Sequence, residues 1–291
     1  MIFQGSGVAL VTPFTKDNKV DYFTLKNLID YQIASGTKAI IILGTTGEAS
    51  TITQDERTKI IKFAVCLASG KIKVIVGTGS NSTKTAIKLS QEAESLGADG
   101  VLVVTPYYNK CNQEGLYFHY KKIAQSIKIP MILYNVPSRT GVNLLPETVL
   151  KLSKIKNIVG IKEASGNLSQ IAELCWILPV KMAVYSGDDL LTLPAISVGA
   201  SGVISVTANC YAEEVSALCD FALSGDFHNA QRMHKHLFKI NKALFLDVNP
   251  ICVKEYLSLK GFSVGKPRLP LTSPNLNTQK VLKEVFKYYE N

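Results

Sequence analysis

The sequence of 291 residues predicts an α/β fold, a (β/α)8 TIM barrel followed by an extension of three helices. Three observations carry that expectation. Eight short apolar segments recur between residues 7 and 206, most of them continuous runs without alternation, as parallel strands covered on both faces require. Segments of helical period lie between them, several ending at a glycine. The Gly-x-Gly-x-x-Gly turn that a doubly wound open sheet places after its first strand is missing, which favours the barrel over its competitor.

In order, the strand segments are 7–12, 39–43, 73–77, 100–105, 131–135, 159–163, 182–186 and 202–206. A helix over 21–35 stops at Gly36, one over 81–96 at Gly97 and one over 188–198 at Gly199, each glycine suited to a left-handed C-cap. Further helices cover 53–69 and 211–223. The stretch Leu96-Gly-Ala-Asp-Gly-Val-Leu-Val-Val repeats as Val198-Gly-Ala-Ser-Gly-Val-Ile-Ser-Val, the same helix end, turn and strand start, and Ser35-Gly-Thr-Lys-Ala-Ile-Ile is a looser copy. The barrel should close near residue 224, giving a barrel domain over 1–224 that carries the site. A helical domain over 225–291 should hold helices at 226–246, 250–259 and 276–289, with Asn249 as N-cap and Pro250 at the first helical position of the second.

Composition narrows the functional classes. Hydrophobic content of 46% and charged content of 19% fit an ordinary globular chain. No apolar stretch approaches the ~18 residues of a membrane span. The start lacks the basic and apolar regions of a secretory signal, and the six cysteines are scattered without a Cys-x-x-Cys pair. Together these point to reduced thiols in the cytoplasm. The net charge of +9 is spread singly along amphipathic helices with no basic run interleaved with aromatics, so it reads as a solvated surface and not a nucleic-acid face.

Lys162 is the residue that points to chemistry. It interrupts the apolar run Asn157-Ile-Val-Gly-Ile-Lys-Glu-Ala-Ser165. A buried ammonium is costly unless paired or neutralised, and burial makes a free amine accessible near neutral pH. A free amine is what Schiff-base chemistry on a carbonyl needs. A salt bridge is the alternative, but Glu163 is not the partner, because adjacent strand residues point to opposite faces.

A barrel places its active site at the C-terminal ends of its strands. The expected mouth gathers Gly44-Thr-Thr-Gly-Glu48, Gly77-Thr-Gly-Ser80, Thr105-Pro-Tyr-Tyr108, Tyr134-Asn135, Pro137-Ser-Arg-Thr-Gly141, Lys162, Ser186-Gly-Asp-Asp189 and Ile204-Ser205. Taken singly, Tyr134 fits a core aromatic and Arg139 a solvated loop charge. Together they supply an amine for an iminium, a hydroxyl to shuttle protons, and donors for two carboxylates. Asp188 and Asp189 follow strand seven, where barrel phosphates usually sit, which argues against a sugar phosphate and suits a cap of the next helix. His119, His228, His234 and His236 fall outside the mouth as surface residues, so neither a metal site nor a Ser-His-Asp hydrolase is supported. No metal or cofactor is expected.

On these motifs the chain resembles, nearly end to end, the dihydrodipicolinate synthase family of the pyruvate-dependent aldolase and lyase superfamily. The discriminating residues are Arg139 within Val-Pro-Ser-Arg-Thr-Gly and the paired Thr45-Thr46. N-acetylneuraminate lyases and keto-deoxy sugar acid aldolases usually differ at both places. The resemblance implies that Lys162 forms the iminium with pyruvate, and that Tyr134 donates and accepts protons through a relay with Thr45 and Tyr108. Tyr108 would come from a neighbouring subunit. Thr46 and the Ile204 backbone would hold the pyruvate carboxylate, with Gly187 also in the substrate-binding set, and Arg139 would hold the carboxylate of L-aspartate 4-semialdehyde. It further implies a homotetramer, a dimer of dimers. Lysine-inhibited members carry a glutamate where this chain has Thr85 and histidines where it has Gln54 and Arg57, so weak or absent feedback by L-lysine is expected, although Asn81 and Tyr107 are retained. Another pyruvate lysine-aldolase and a non-catalytic binding protein on the same fold are the alternatives.

Overall fold

A computed structural model describes residues 1–290. Eight parallel strands close into a barrel in sequence order: β1 (Gly5–Ala9), β2 (Ala39–Ile42), β3 (Lys73–Gly77), β4 (Gly100–Val104), β5 (Met131–Asn135), β6 (Ile158–Glu163), β7 (Ala183–Ser186) and β8 (Gly202–Ser205). Closure is direct, with Gly5 opposite Gly202 and Val8 opposite Ser205. The helices of the barrel are α1 (Tyr22–Ala34), α2 (Gln54–Ala68), α3 (Thr83–Ser95), α4 (Gln113–Gln125), α5 (Pro137–Thr140), α6 (Pro146–Leu152), α7 (Leu168–Ile177), α8 (Thr192–Ser197) and α9 (Ala212–Leu223). Then come α10 (Phe227–Ala243), α11 (Ile251–Leu259) and α12 (Leu276–Glu290). None of the described helices is long and apolar enough to cross a membrane.

The unalternating strands have the cause the sequence suggested: both faces are apolar because both are covered. Ile40, Ile42, Val74, Val76, Leu133 and Val203 belong to the layer between barrel and helices. Their neighbours Ile41, Ile75, Ile132, Tyr134, Tyr185 and Ile204 fill the barrel interior. Local signals fix the helix ends. Asp21 caps α1 through Thr24 N, and Thr53 and Glu56 form a reciprocal capping box on α2. Gly36, Gly97 and Gly199 all sit at positive φ, as their C-cap role requires.

Several boundaries move. β1 spans residues 5–9 and not 7–12, because the chain leaves the sheet once Val11 N turns to the Asn209 side chain. The helix expected over 188–198 is broken: Asp188 caps Leu190 N and a single 3-10 turn, Asp189–Leu191, precedes α8. Asp189 is no cap. It is buried, and its carboxylate accepts from Ser205 Oγ and from the backbone N–H groups of Val206 and Thr207. Burial raises its pKa against the pull of those bonds. Asn249 does not cap α11, which starts one residue later with Pro250 in the cap position.

His119 is the clearest correction, since it is not a surface residue. It is 5% exposed on α4, with Nδ1 2.9 Å from Thr83 Oγ1 and Nε2 without a partner among the described residues. The signal was present, because Leu116, His119, Tyr120 and Ile123 form an i, i+3, i+4, i+7 stripe, all buried. Burial pushes the His119 pKa down to about 4. An unfolded chain protonates this residue near the ordinary value of about 6.5, so below that pH the unfolded state gains a proton that the native state refuses. Stability should therefore fall as pH drops from about 6.5 towards 4, by on the order of 2–3 kcal/mol from this group. Urea unfolding across that range checks it: His119→Gln should show a shallower acid loss than the natural chain, and equal slopes would refute the assignment.

Candidate active site

The C-terminal ends of the strands surround a cavity of about 450 Å³. Its wall includes Thr45, Glu48, Tyr107, Tyr134, Arg139 and Asn249. They come from four places in the fold: Thr45 and Glu48 from the turn after β2, Tyr107 from the loop after β4, Tyr134 and Arg139 from β5 and the single-turn α5 that follows it, and Asn249 from the segment before α11.

Lys162 is 5% exposed and lies beside this wall, not in it. Register explains its direction. Gly160 and Lys162 alternate with Ile161, which packs in the outer layer, so Lys162 points into the barrel. Its Nζ stands 4.6 Å from the centroid of the Tyr134 ring, on the neighbouring strand in direct register. No acid among the described residues forms an ion pair with it. Glu163 indeed faces outwards. Its carboxylate accepts from Asn135 Nδ2 at 2.9 Å, Gln170 Nε2 at 2.9 Å and Ser165 N at 2.7 Å. These bonds tie β5, β6 and α7 together behind the lysine.

Gly187, the residue after β7, closes over Lys162. A Cβ at this position would lie 3.0 Å from Lys162 Cε and 2.5 Å from Ala164 Cβ, so only glycine leaves the lysine side chain its place. Ile204 is fully buried in the same interior cluster as Tyr134. Asp189 secures the chain just beyond it.

Thr46 is 2% exposed behind the cavity wall, where its Oγ1 accepts from Asn249 Nδ2 at 2.9 Å. Arg139 donates through Nη2 to the Asn249 carbonyl at 3.1 Å. The structure thus brings together Lys162, Tyr134, Gly187 and Ile204 inside the barrel, and Thr45, Thr46 and Arg139 at its mouth. Tyr108 is not among them. Its side chain is 88% exposed, away from the wall, and its backbone holds φ of 73°, unfavourable for a bulky residue.

The same cavity extends to Arg57 and Thr85. Arg57 is buried, donates to the Gly77 carbonyl at 2.9 Å, and has its pKa lowered to about 10 by burial, opposed by the Glu92 charge. No cluster of His, Cys, Asp or Glu among the described residues is arranged to hold a metal ion.

Sequence reasoning missed a buried ion pair that supports the site. Glu48 and Lys254 meet at 2.7 Å with both side chains 1% exposed. Glu48 also accepts from Arg268 N at 2.8 Å. The turn carrying Thr45 and Thr46 is therefore clamped by α11 and the segment that follows it. Nothing in the local pattern of either residue announced a partner 206 positions away.

Comparison with known proteins gives a consistent picture. A model described as the dihydrodipicolinate synthetase family matches residues 2–288. A protein of Clostridium novyi named 4-hydroxy-tetrahydrodipicolinate synthase is 49% identical over 288 residues, covering 99% of this chain and 97% of that one. One of the same name from Citrifermentans bemidjiense is 52% identical over 270 residues, 93% of each. The crystal structure of dihydrodipicolinate synthase from Aquifex aeolicus superposes with a TM-score of 0.97 at 48% identity, covering 99% of this chain and 98% of that one.

Proposed function

Because the chain belongs to the dihydrodipicolinate synthetase family, we propose that it is a lyase that condenses pyruvate with L-aspartate 4-semialdehyde. The product is 4-hydroxy-tetrahydrodipicolinate, on the diaminopimelate route to L-lysine. The observation that carries the mechanism is Lys162, buried in the barrel interior beside the Tyr134 ring and without an ion-pair partner among the described residues.

The unprotonated Lys162 amine attacks the pyruvate carbonyl and loses water to give an iminium. The iminium lowers the pKa of the adjacent methyl group, and loss of a methyl proton gives an enamine. The enamine carbon attacks the aldehyde carbon, forming the new carbon–carbon bond. The amino group of the former semialdehyde then closes the ring on the iminium carbon and displaces Lys162. Tyr134 carries the protons of these steps, with Thr45 and Tyr108 as its relay. Thr46 and the Ile204 backbone hold the pyruvate carboxylate, Gly187 leaves room for the adduct, and Arg139 holds the second carboxylate.

Residues 1–224 form the barrel domain in this reading, and residues 225–291, the last of them outside the described residues, a helical domain that lends Asn249 to the mouth. The protein acts in the cytoplasm, where six unpaired thiols are at home. It assembles as a homotetramer, a dimer of dimers. Tyr108, exposed and on unfavourable backbone, is the residue a neighbouring copy would receive. Molar mass in solution tests the assembly.

Borohydride reduction in the presence of pyruvate, followed by peptide mapping, tests the chemistry. One reduced pyruvyl adduct on Lys162 is expected, and folded protein without an adduct would end the proposal. Gly187→Ala should slow trapping about tenfold or more by displacing Lys162, at an overpacking cost of roughly 1–3 kcal/mol; trapping at the natural rate would show that the lysine has room to spare. With Thr85 in place of a carboxylate, L-lysine at 1 mM, in the range of about 1 μM–1 mM over which enzymes usually hold their substrates, should leave the initial rate nearly unchanged. Half-inhibition below that concentration would sink this expectation.

A further inference from the structure

Resting on the reading above, in which Thr46 receives the pyruvate carboxylate, we infer that Asn249 is a positioning residue: its side-chain amide turns the Thr46 hydroxyl into an outward donor. The C-terminal helical segment thereby sets the affinity of the barrel for pyruvate. Asn249 is 6% exposed and contributes to the cavity wall. Its Nδ2 donates to Thr46 Oγ1 at 2.9 Å. A threonine hydroxyl has one proton. With its oxygen already accepting, that proton is left over, and no described residue takes it up. A carboxylate placed before Thr46 meets a hydroxyl already turned towards it.

The amide orientation follows from cost. Asn249 Oδ1 is buried without a partner among the described residues. Reversing the amide would leave both N–H donors without a partner, where the present orientation leaves one N–H and one acceptor, and orphaned buried N–H groups are rarer than under-satisfied carbonyl oxygens. The amide is also held in place from behind. Ile251 N donates to the Val248 carbonyl at 2.9 Å, and Lys254 N to the Pro250 carbonyl at 3.1 Å. Four residues after the Pro250 carbonyl, Lys254 is anchored on Glu48 of the same turn that carries Thr46. Two separate contacts therefore lock the start of α11 to the β2 turn.

A second feature makes the role testable. Asn249 holds Arg139 through its main-chain carbonyl, not its side chain. Side-chain substitution should weaken pyruvate and spare the semialdehyde. The experiment measures borohydride trapping against pyruvate concentration, together with KM for both substrates, in Asn249→Ala and Asn249→Asp. Half-saturating pyruvate should rise about tenfold in Asn249→Ala, the loss of one oriented hydrogen bond to a charged group. It should rise further in Asn249→Asp, whose carboxylate would take the Thr46 proton and repel the substrate. KM for the semialdehyde should stay within about twofold, and adding Asn249→Ala to Thr46→Val should cost pyruvate nothing more, as coupled neighbours behave.

Half-saturation does not depend on how much of a sample is folded, so a variant of reduced stability still gives the reading. Unchanged half-saturation in Asn249→Ala, or a parallel rise in both KM values, would overturn the positioning role. Absence of an adduct in the unsubstituted protein would overturn the Schiff-base reading itself, a separate failure.

Discussion

Lys162→Met is expected to abolish condensation and pyruvate trapping while making the protein more stable. The two effects have one cause. Lys162 is 5% exposed and has no acid to pair with among the described residues, so a charge there has only the face of the Tyr134 ring to offset its desolvation. Methionine fills a similar volume without it. The melting temperature should rise by a few degrees, since a gain of about 1 kcal/mol moves a chain of this size by roughly 2–4 °C. Catalysis should fall by at least about a thousandfold, because removing a covalent nucleophile leaves only binding and polarisation to act. Thermal melting and trapping on one preparation check both arms. A variant that loses activity and stability together would mean that Lys162 serves the fold, and the trade of stability for reactivity would be wrong.

The second large effect lies outside the residues proposed to act on substrate. Lys254→Ala should destabilise the protein by about 3–5 kcal/mol, because it leaves the Glu48 carboxylate buried and uncompensated. Burial already lowers the Lys254 pKa against the pull of Glu48, which shows how much solvation the pair has given up. Glu48→Gln combined with Lys254→Met should recover most of that loss, since two neutral groups need no mutual compensation. Urea unfolding of the single and double variants separates the cases. If the double variant is no more stable than Lys254→Ala, the pair holds the fold by more than charge compensation. Losing the pair should also loosen the β2 turn, so surviving Lys254→Ala protein should need more pyruvate for half-saturation.

The barrel and the meeting of Lys162 with Tyr134 in its interior were legible because both depend on period. Ile161, Lys162 and Glu163 alternate in the strand, so the outward placement of Glu163 followed from geometry alone. Tyr134 and Lys162 fell together because each ends an apolar run. What the sequence hid depends on distance. The partners of Glu48 and Thr46 come from the part of the chain beyond the barrel, and Asn249 looked like a helix cap because it precedes a proline. His119 was hidden differently: its stripe is plain on α4, but a histidine off the mouth was read by residue type and not by position. Asp189, taken for a cap, turned out to brace the end of β8, a role only the closed barrel creates.

The clamp over the β2 turn has a temporal side. A nascent chain emerges N-terminus first, and its domains generally fold as units in that order. All eight strands, with Lys162 and Tyr134, leave the ribosome before Asn249 and Lys254. In the proposed reading, a barrel that closes before that point holds Lys162 and Tyr134 but lacks the two contacts that brace the β2 turn. The contacts of Asn249 and Lys254 with the β2 turn can form only after all eight strands have been made.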